Sequence, residues 1–362
     1  MTIFALDIGN KQSKLKSEHS DYAIPSALVN QRDVQTIFSV GAPKDVNTLK
    51  LIGNQNVFYW GTGVLNYDQN KLLDSLGFGN RYDRNVYQLL NEFALAVLGK
   101  DFDNQSDLED VHVVAGLPTG DYTQDTINAV KRIFMEQDGE LFMPKTHLIT
   151  IDNKEILVKV TDVTTLPQPI GTFYNEVIDS DGTIVNPNII SKRIGIVDIG
   201  GGTALLDQLV NANLDANYRT QLETGANTLY SQVRSALMQR YGLNADLHKI
   251  EILIREGLAN DNLSDSTFVY IQSDTNRFDI TDLVYDEIRH YTSSLINNIQ
   301  TTFQNLNDVD MLLVTGGTAN IIDKTMFEET FGKTTKVRFT NDSEFANVSG
   351  FYKYALLHDQ AK

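Results

Sequence analysis

Cysteine is absent from the 362 residues, which removes disulfides, thiolate nucleophiles and cysteine-type zinc sites and is in keeping with a reducing compartment. Positive charge is scarce: 30 Lys and Arg stand against 47 Asp and Glu, a formal net charge of −17. Such a chain is a poor prospect for a long contiguous basic surface that grasps a nucleic acid backbone, so direct nucleic acid binding is not expected and any contact with DNA should be indirect. Long hydrophobic runs are missing too. The first apolar stretch, residues 2–6, meets Asp7 too early to form the apolar region of a secretory signal. No later stretch approaches the roughly 20 apolar residues of a membrane span. A soluble, cytoplasmic protein without a membrane partner is therefore expected. The six histidines are scattered, with no HExxH motif and no pair at ligand spacing. Neither a low-complexity linker nor a charge block is present.

What is there suffices for real cores: 41% of residues are apolar, and the length suggests about two domains of roughly 150 residues each. The most informative feature is a weak internal repeat. Residues 3–9 read Ile-Phe-Ala-Leu-Asp-Ile-Gly and residues 194–200 read Ile-Gly-Ile-Val-Asp-Ile-Gly, each a short apolar strand ending in Asp-x-Gly. A polar turn follows each glycine, and then a run able to pair back as a strand, residues 13–16 and 203–209. Two copies predict two homologous lobes.

A third strand, residues 311–315, runs into Gly316-Gly317-Thr318-Ala-Asn320 and then a helical pattern over 321–331. Another, residues 111–115, leads through Gly116-Leu-Pro118 to a segment with helical spacing at Ile127, Val130 and Phe134. Further helices are predicted at 86–98, closed by Gly99, at 225–241, closed by Gly242, and across 283–303. Strands alternating with helices give an α/β layered architecture. Residues 17–84 differ: rich in Asn, Asp, Gly and aromatics without a sustained helical period, they predict an inserted subdomain of strands and loops.

A nucleotide's phosphate tail needs backbone N–H groups that approach closely, which favours glycine, and cations that offset its charge. Gly200, Gly201, Gly202 and Thr203 supply such a turn. Asp7 and Asp198 stand at strand ends, where carboxylates can hold Mg²⁺ through its water shell. A single Asp-x-Gly is more often an ordinary strand-end turn. Two copies half a chain apart, with a third glycine turn at Gly316, favour a nucleotide site. Rival signatures fail: Gly332-Lys-Thr334 resembles the end of a P-loop, but Phe327 stands five residues before that glycine, and the loop from Gly9 lacks the further glycines of a dinucleotide fingerprint.

Taken in order, these motifs resemble those of the actin, Hsp70 and sugar-kinase superfamily. Asp7-Ile-Gly-Asn-Lys-Gln-Ser-Lys14 is similar to its phosphate 1 loop, Val197-Asp-Ile-Gly-Gly-Gly-Thr203 to phosphate 2, and Val314-Thr-Gly-Gly-Thr-Ala-Asn320 to the adenosine loop. Gln168-Pro-Ile-Gly171 and Asn347-Val-Ser-Gly350 resemble the two connecting segments. Three further stretches resemble the ParM (StbA) branch of plasmid-segregation actins: Asn80-Arg-Tyr-Asp83, Gly116-Leu-Pro118 and Asn341-Asp-Ser-Glu-Phe-Ala-Asn-Val-Ser-Gly-Phe-Tyr352. Hsp70 proteins are much longer. Two departures stand out, Asn10-Lys11 where many relatives carry Ser or Thr and Thr318 where a third glycine is common, and they leave GTP open beside ATP.

The resemblance implies a two-lobed actin-like (ribonuclease H-like) α/β fold with duplicated core domains and an inserted subdomain in each. Domain I would be 1–167 plus 338–362, with its insertion at about 17–84; domain II would be 168–337, with its insertion at about 240–280. It implies an ATPase whose nucleotide contacts are Asp7, Gly9, Asn10, Lys14, Gly200, Gly201, Gly202, Thr203, Gly225, Gly316, Gly317 and Thr318. Mg²⁺ would be organised by Asp7 and Asp198, and Gln168 would orient the attacking water beside Asp198. The partners implied are further copies of the chain, in a filament, and a DNA-bound adaptor of a partition system. Without that context Gln168 reads as a turn residue before Pro169. Two rivals share the phosphate loops: a small-molecule, sugar-type kinase and an ATP-binding scaffold that does not polymerise. For the kinase, no catalytic carboxylate can be singled out.

Overall fold

A computed structural model describes residues 1–34, 44–75, 81–258 and 263–359. Two compact units emerge, residues 1–186 with 347–362 and residues 187–346. The expected joints lay at 167/168 and 337/338, and local bonding explains the difference. The helix Gln168–Val177 belongs to the first unit, where Gln168 meets Asp7 and the Glu176 carbonyl accepts from Asn186 Nδ2 at 2.8 Å. Residues 338–346 stay with the second, because the strand Lys336–Phe339 runs parallel to Met311–Thr315 and the Thr340 N–H donates to the Val314 carbonyl at 3.0 Å.

Among the described residues of the first unit ten strands join in one sheet. At its centre Thr2–Ile8 runs antiparallel to Gln12–Lys16 and parallel to Val111–Leu117, which runs parallel to Lys154–Pro167. Thr2–Ile8 is buried from Ile3 onward, as a central strand covered on both faces requires. The helix Asn85–Gly99 lays Leu89, Leu90, Phe93, Ala94 and Val97 into this core. Strands are found in the 17–84 segment, but they extend the core sheet: Asn47–Leu51 pairs with Lys145–Ile151, and Phe58–Trp60, Ala27–Asn30 and Leu72–Asp74 follow outward. Residues 35–43 and 76–80 of that segment, Asn80 included, lie outside the described residues.

The second unit repeats the arrangement. Arg193–Ile199 runs antiparallel to Ala204–Val210 and parallel to Met311–Thr315, with Asn213–Leu222 and Lys336–Phe339 at the edges of a sheet that has five strands among the described residues. The helices Ala226–Tyr241 and Thr281–Thr302 cover it. Gly242 ends the first of these at φ +65°, a left-handed turn that glycine adopts without steric penalty. Within the segment of about 240–280 stand the helix Leu247–Gly257 and the hairpin of Val269–Ile271 with Arg277–Asp279, while 259–262 lie outside the described residues. The helix expected over 321–331 begins only at Lys324, because the Asp323 carboxylate caps it by accepting from the Met326 N–H at 3.2 Å. Among the described residues no helix is long and apolar enough to cross a membrane.

Candidate functional site

The tip of the first hairpin is tightly drawn. The Gly9 N–H donates to the carbonyls of Gln12 at 3.0 Å and Asp7 at 3.1 Å, and a Cβ on Gly9 would lie 2.7 Å from that Gln12 oxygen. Only glycine fits there. Asp7 is 4% exposed, and its Oδ1 accepts from Gln168 Nε2 at 2.9 Å. Lys14 stands directly opposite Asp7 in the antiparallel register, which puts its side chain on the same face of the sheet as that carboxylate. The Asn10 N–H takes no backbone partner among the described residues.

Gln168 is the first residue of its helix, with Pro169 in the first turn where a missing N–H does no harm. Its amide is fixed by Asp7: with Nε2 donating to the carboxylate, Oε1 is the end that can accept a hydrogen bond from water. The helix is held in turn by its crossing with Ala346–Asp359. A Cβ on Gly350 would sit 1.7 Å from the Gly171 carbonyl oxygen, so the two backbones touch there. Thr172 Oγ1 donates to Asn347 Oδ1, and Lys353 Nζ reaches Asn175 Oδ1 at 2.8 Å. Both connecting segments of the sequence reading thus meet inside the first unit.

The second hairpin tip, residues 200–203, is built from backbone. The Gly200 N–H donates to the Thr203 carbonyl at 2.8 Å, closing the turn. The start of the helix Ala226–Tyr241 then buttresses it: Ala226 N–H donates to the Gly200 carbonyl at 3.1 Å, Asn227 N–H to Gly201 at 2.9 Å, and Gly225 N–H to Gly202 at 3.2 Å. A Cβ on Gly225 would lie 2.5 Å from the Gly200 oxygen. The N–H groups of Gly201, Gly202 and Thr203 take no backbone partner among the described residues, and successive main-chain donors in a turn suit a cradle for an anion.

The third glycine turn closes against this cradle. Gly316 has φ +92°, and a Cβ there would lie 2.4 Å from Asp198 Oδ1, so the carboxylate and the turn occupy one site. Thr318 is buried, its N–H donating to the Ile199 carbonyl at 3.0 Å and its Oγ1 to the Gly200 carbonyl at 3.1 Å. Its hydroxyl is thus engaged in tying two loops together. Gly317 faces a charged cluster that the sequence reading missed: Arg255 pairs with Glu251 at 3.2 Å and with Glu344 at 4.0 Å. Burial works against the Arg255 charge, yet Tyr230, Glu251 and Glu344 raise its affinity for the proton overall. Burial also pushes the neighbouring Tyr230 phenol up to about 12, although Arg255 opposes the shift.

A second missed residue is Arg81, whose guanidinium reaches the Asn10 side chain and the Ile8 and Gly9 carbonyls. The signal was present in the Arg-Tyr-Asp stretch, but nothing in the sequence says that a residue 71 positions away holds the turn. Magnesium prefers carboxylate, phosphate and water oxygens, and Asp7 and Asp198 offer such oxygens. Among the described residues no group of three or more His, Cys, Asp or Glu forms a protein-only cage, so an ion would be completed by phosphate and water.

Residues 5–171 match the family described as the actin-like proteins' N-terminal domain, and residues 193–347 match the Alp7A C-terminal domain. No curated protein matches the sequence. Among solved structures the chain is similar to the apo ParM protein of pSK41, at 22% identity over 99% of this chain and 98% of that one with a TM-score of 0.74. It is similar to an archaeal actin homologue in complex with ADP, at 16% identity over 98% and 99% with a TM-score of 0.71. It is likewise similar to Bacillus thuringiensis ParM with ATP, at 15% identity over the whole of both chains with a TM-score of 0.73. At these identities the likeness establishes an actin-like fold. Since the two family matches between them take in both Asp-x-Gly hairpins and the third glycine turn, the chain belongs to the actin-like proteins.

Proposed function

We propose that this protein is an actin-like ATPase that assembles into filaments and drives plasmid DNA segregation. The observation that carries the reading is the doubled hairpin, with the Gln168 amide fixed on the first carboxylate at 2.9 Å, where it would orient the attacking water. On this reading the turns would bind a Mg-nucleotide, with Asp7 and Asp198 the carboxylates that would hold the ion. Lys14 offsets phosphate charge, and the N–H groups of Gly201, Gly202 and Thr203 bind phosphate oxygens. Phosphoryl transfer asks mainly for positioning and charge neutralisation, so one amide aimed at water suffices beside a metal. Magnesium, when bound, neutralises charge that develops on the phosphate oxygens.

Support for this reading comes from the company the fold keeps. Bacillus thuringiensis ParM has been solved with ATP and with ADP, and a pCBH ParM quadruple mutant is described as non-polymerisable. Loss of the γ-phosphate would weaken the assembly-competent state, making hydrolysis a timer. A head-to-tail contact does not close on itself and therefore makes fibres. A net charge of −17 suits a cytoplasmic motor that leaves DNA to a bound adaptor protein. The test is sedimentation and phosphate release of the purified protein with Mg-ATP, Mg-GTP and no nucleotide. Nucleotide-dependent pelleting with phosphate release is expected; persistent monomers at tens of micromolar would overturn the filament.

A further inference from the structure

The geometry points to Arg81 as a positioning residue that, acting through Asn10, lets the first turn tell a nucleoside triphosphate from a diphosphate. This inference rests on the nucleotide-binding reading above. The Arg81 side chain is almost wholly buried, at 4% exposure, and among the described residues it forms no ion pair. Its partners are neutral: Nη1 donates to Asn10 Oδ1 at 2.9 Å, Nη2 donates to the Ile8 and Gly9 carbonyls, and the guanidinium lies 4.8 Å from the centre of the Tyr87 ring. Its Nε has no hydrogen-bond partner among the described residues. A buried cation with no directly paired carboxylate among the described residues gains from an anion at the same turn.

A guanidinium has only donors, so the Asn10 atom it meets must be the oxygen. The amide cannot turn over without losing that bond, and Nδ2 becomes its fixed donor end, with two N–H bonds, one residue after the glycine that follows Asp7-Ile. An acceptor anion at the turn gains a charge-assisted hydrogen bond from it. The terminal phosphate of a triphosphate is such an anion, and a diphosphate lacks it. Because Arg81 orders the amide beforehand, little rotamer freedom is lost when the contact forms. Asn10 thus takes the place of a hydroxyl residue with a donor that has a set direction.

The test measures dissociation constants of Mg-ATP and Mg-ADP for the full chain and its variants, beside thermal melting. Asn10→Asp keeps an oxygen for Arg81 and replaces the donor end by an acceptor. The preference for ATP over ADP should fall about tenfold or more, the worth of one hydrogen bond to a charged group, with the melting temperature unchanged or raised. Arg81→Lys should lower the same preference, and should leave it unaltered when placed on Asn10→Ala. A merely structural Arg81 would lower melting and weaken both nucleotides alike, and that pattern overturns the proposal. If Arg81→Lys fails to fold, Asn10→Asp decides alone, an unchanged preference being fatal. A wild-type chain that binds neither nucleotide would fail before any variant is made and would refute the underlying reading itself.

Discussion

At the tip of the first hairpin Asp7 is 4% exposed, bonded to Gln168 and faced across the strand pair by Lys14. At the tip of the second, Asp198 is half-buried against Gly316 and faced by Leu205. The first turn is held by side chains from elsewhere in its unit, Gln168 and Arg81; the second is held mainly by backbone, from Gly225, Ala226 and Asn227, with the Thr318 hydroxyl as a side-chain addition. One duplicated unit has thus been fixed by two kinds of bonding. Side-chain clamps can carry chemistry and discrimination, because an amide or guanidinium can be aimed, whereas a backbone clamp gives a rigid cradle whose donors do not depend on residue type.

The difference predicts where each hairpin breaks. The largest effect belongs to the side-chain clamp: Gln168→Ala should lower kcat for phosphate release about 10²- to 10³-fold, the usual loss for a positioned polar group, with nucleotide affinity nearly kept. An equal fall in affinity would show that Gln168 only supports Asp7. Next comes the backbone clamp. Gly225→Ala brings a Cβ to 2.5 Å from the Gly200 oxygen and 2.7 Å from the Gly201 carbonyl carbon, so the turn must shift, at about 1–3 kcal/mol in chemical denaturation. Gly202→Ala, with open space around its Cβ, should leave stability alone and weaken nucleotide binding.

Thr318→Val sharpens the contrast further down the scale. It removes the donor to the Gly200 carbonyl while the Ala226 N–H remains, so about 1 kcal/mol is expected in the same denaturation experiment. The smallest effect lies away from the turns. The Thr281 N–H donates to Asp279 Oδ1 at 3.0 Å at the start of the helix Thr281–Thr302, and this backbone bond holds the carboxyl below its ordinary value. A folded-state value below the unfolded one, about 3.9, means that the benefit is present at neutral pH and fades as pH falls through the folded value. Asp279→Ala should therefore melt slightly below wild type near neutrality and converge with it in acid.

Strand and helix patterns were legible wherever local periodicity and turn chemistry agreed. Gly242 marks the end of its helix because the left-handed turn there favours glycine, and Met311–Thr315 is readable as an apolar run closed by Gly316. The start of the helix at Lys324 was obscured by Ile321 and Ile322, which are buried in the turn ahead of it and mimic helical spacing. Sheet membership of the 17–84 strands was not legible either, since pairing between Asn47–Leu51 and Lys145–Ile151 is a long-range choice made by packing. In the site, the glycines announced themselves through steric need. Partners did not: Gln168 reaches Asp7 across 161 residues and Arg81 reaches Asn10 across 71.

The claim on which the functional reading depends is that both hairpins act on one nucleotide. A double-mutant cycle on the dissociation constant of Mg-ATP, with Asp7→Asn, Asp198→Asn and the pair together, tests it directly. A shared ion predicts strong non-additivity, the double variant binding about as weakly as the worse single one, by a coupling of roughly 0.5–3 kcal/mol. Strictly additive losses, or a single variant that binds like wild type, would contradict it.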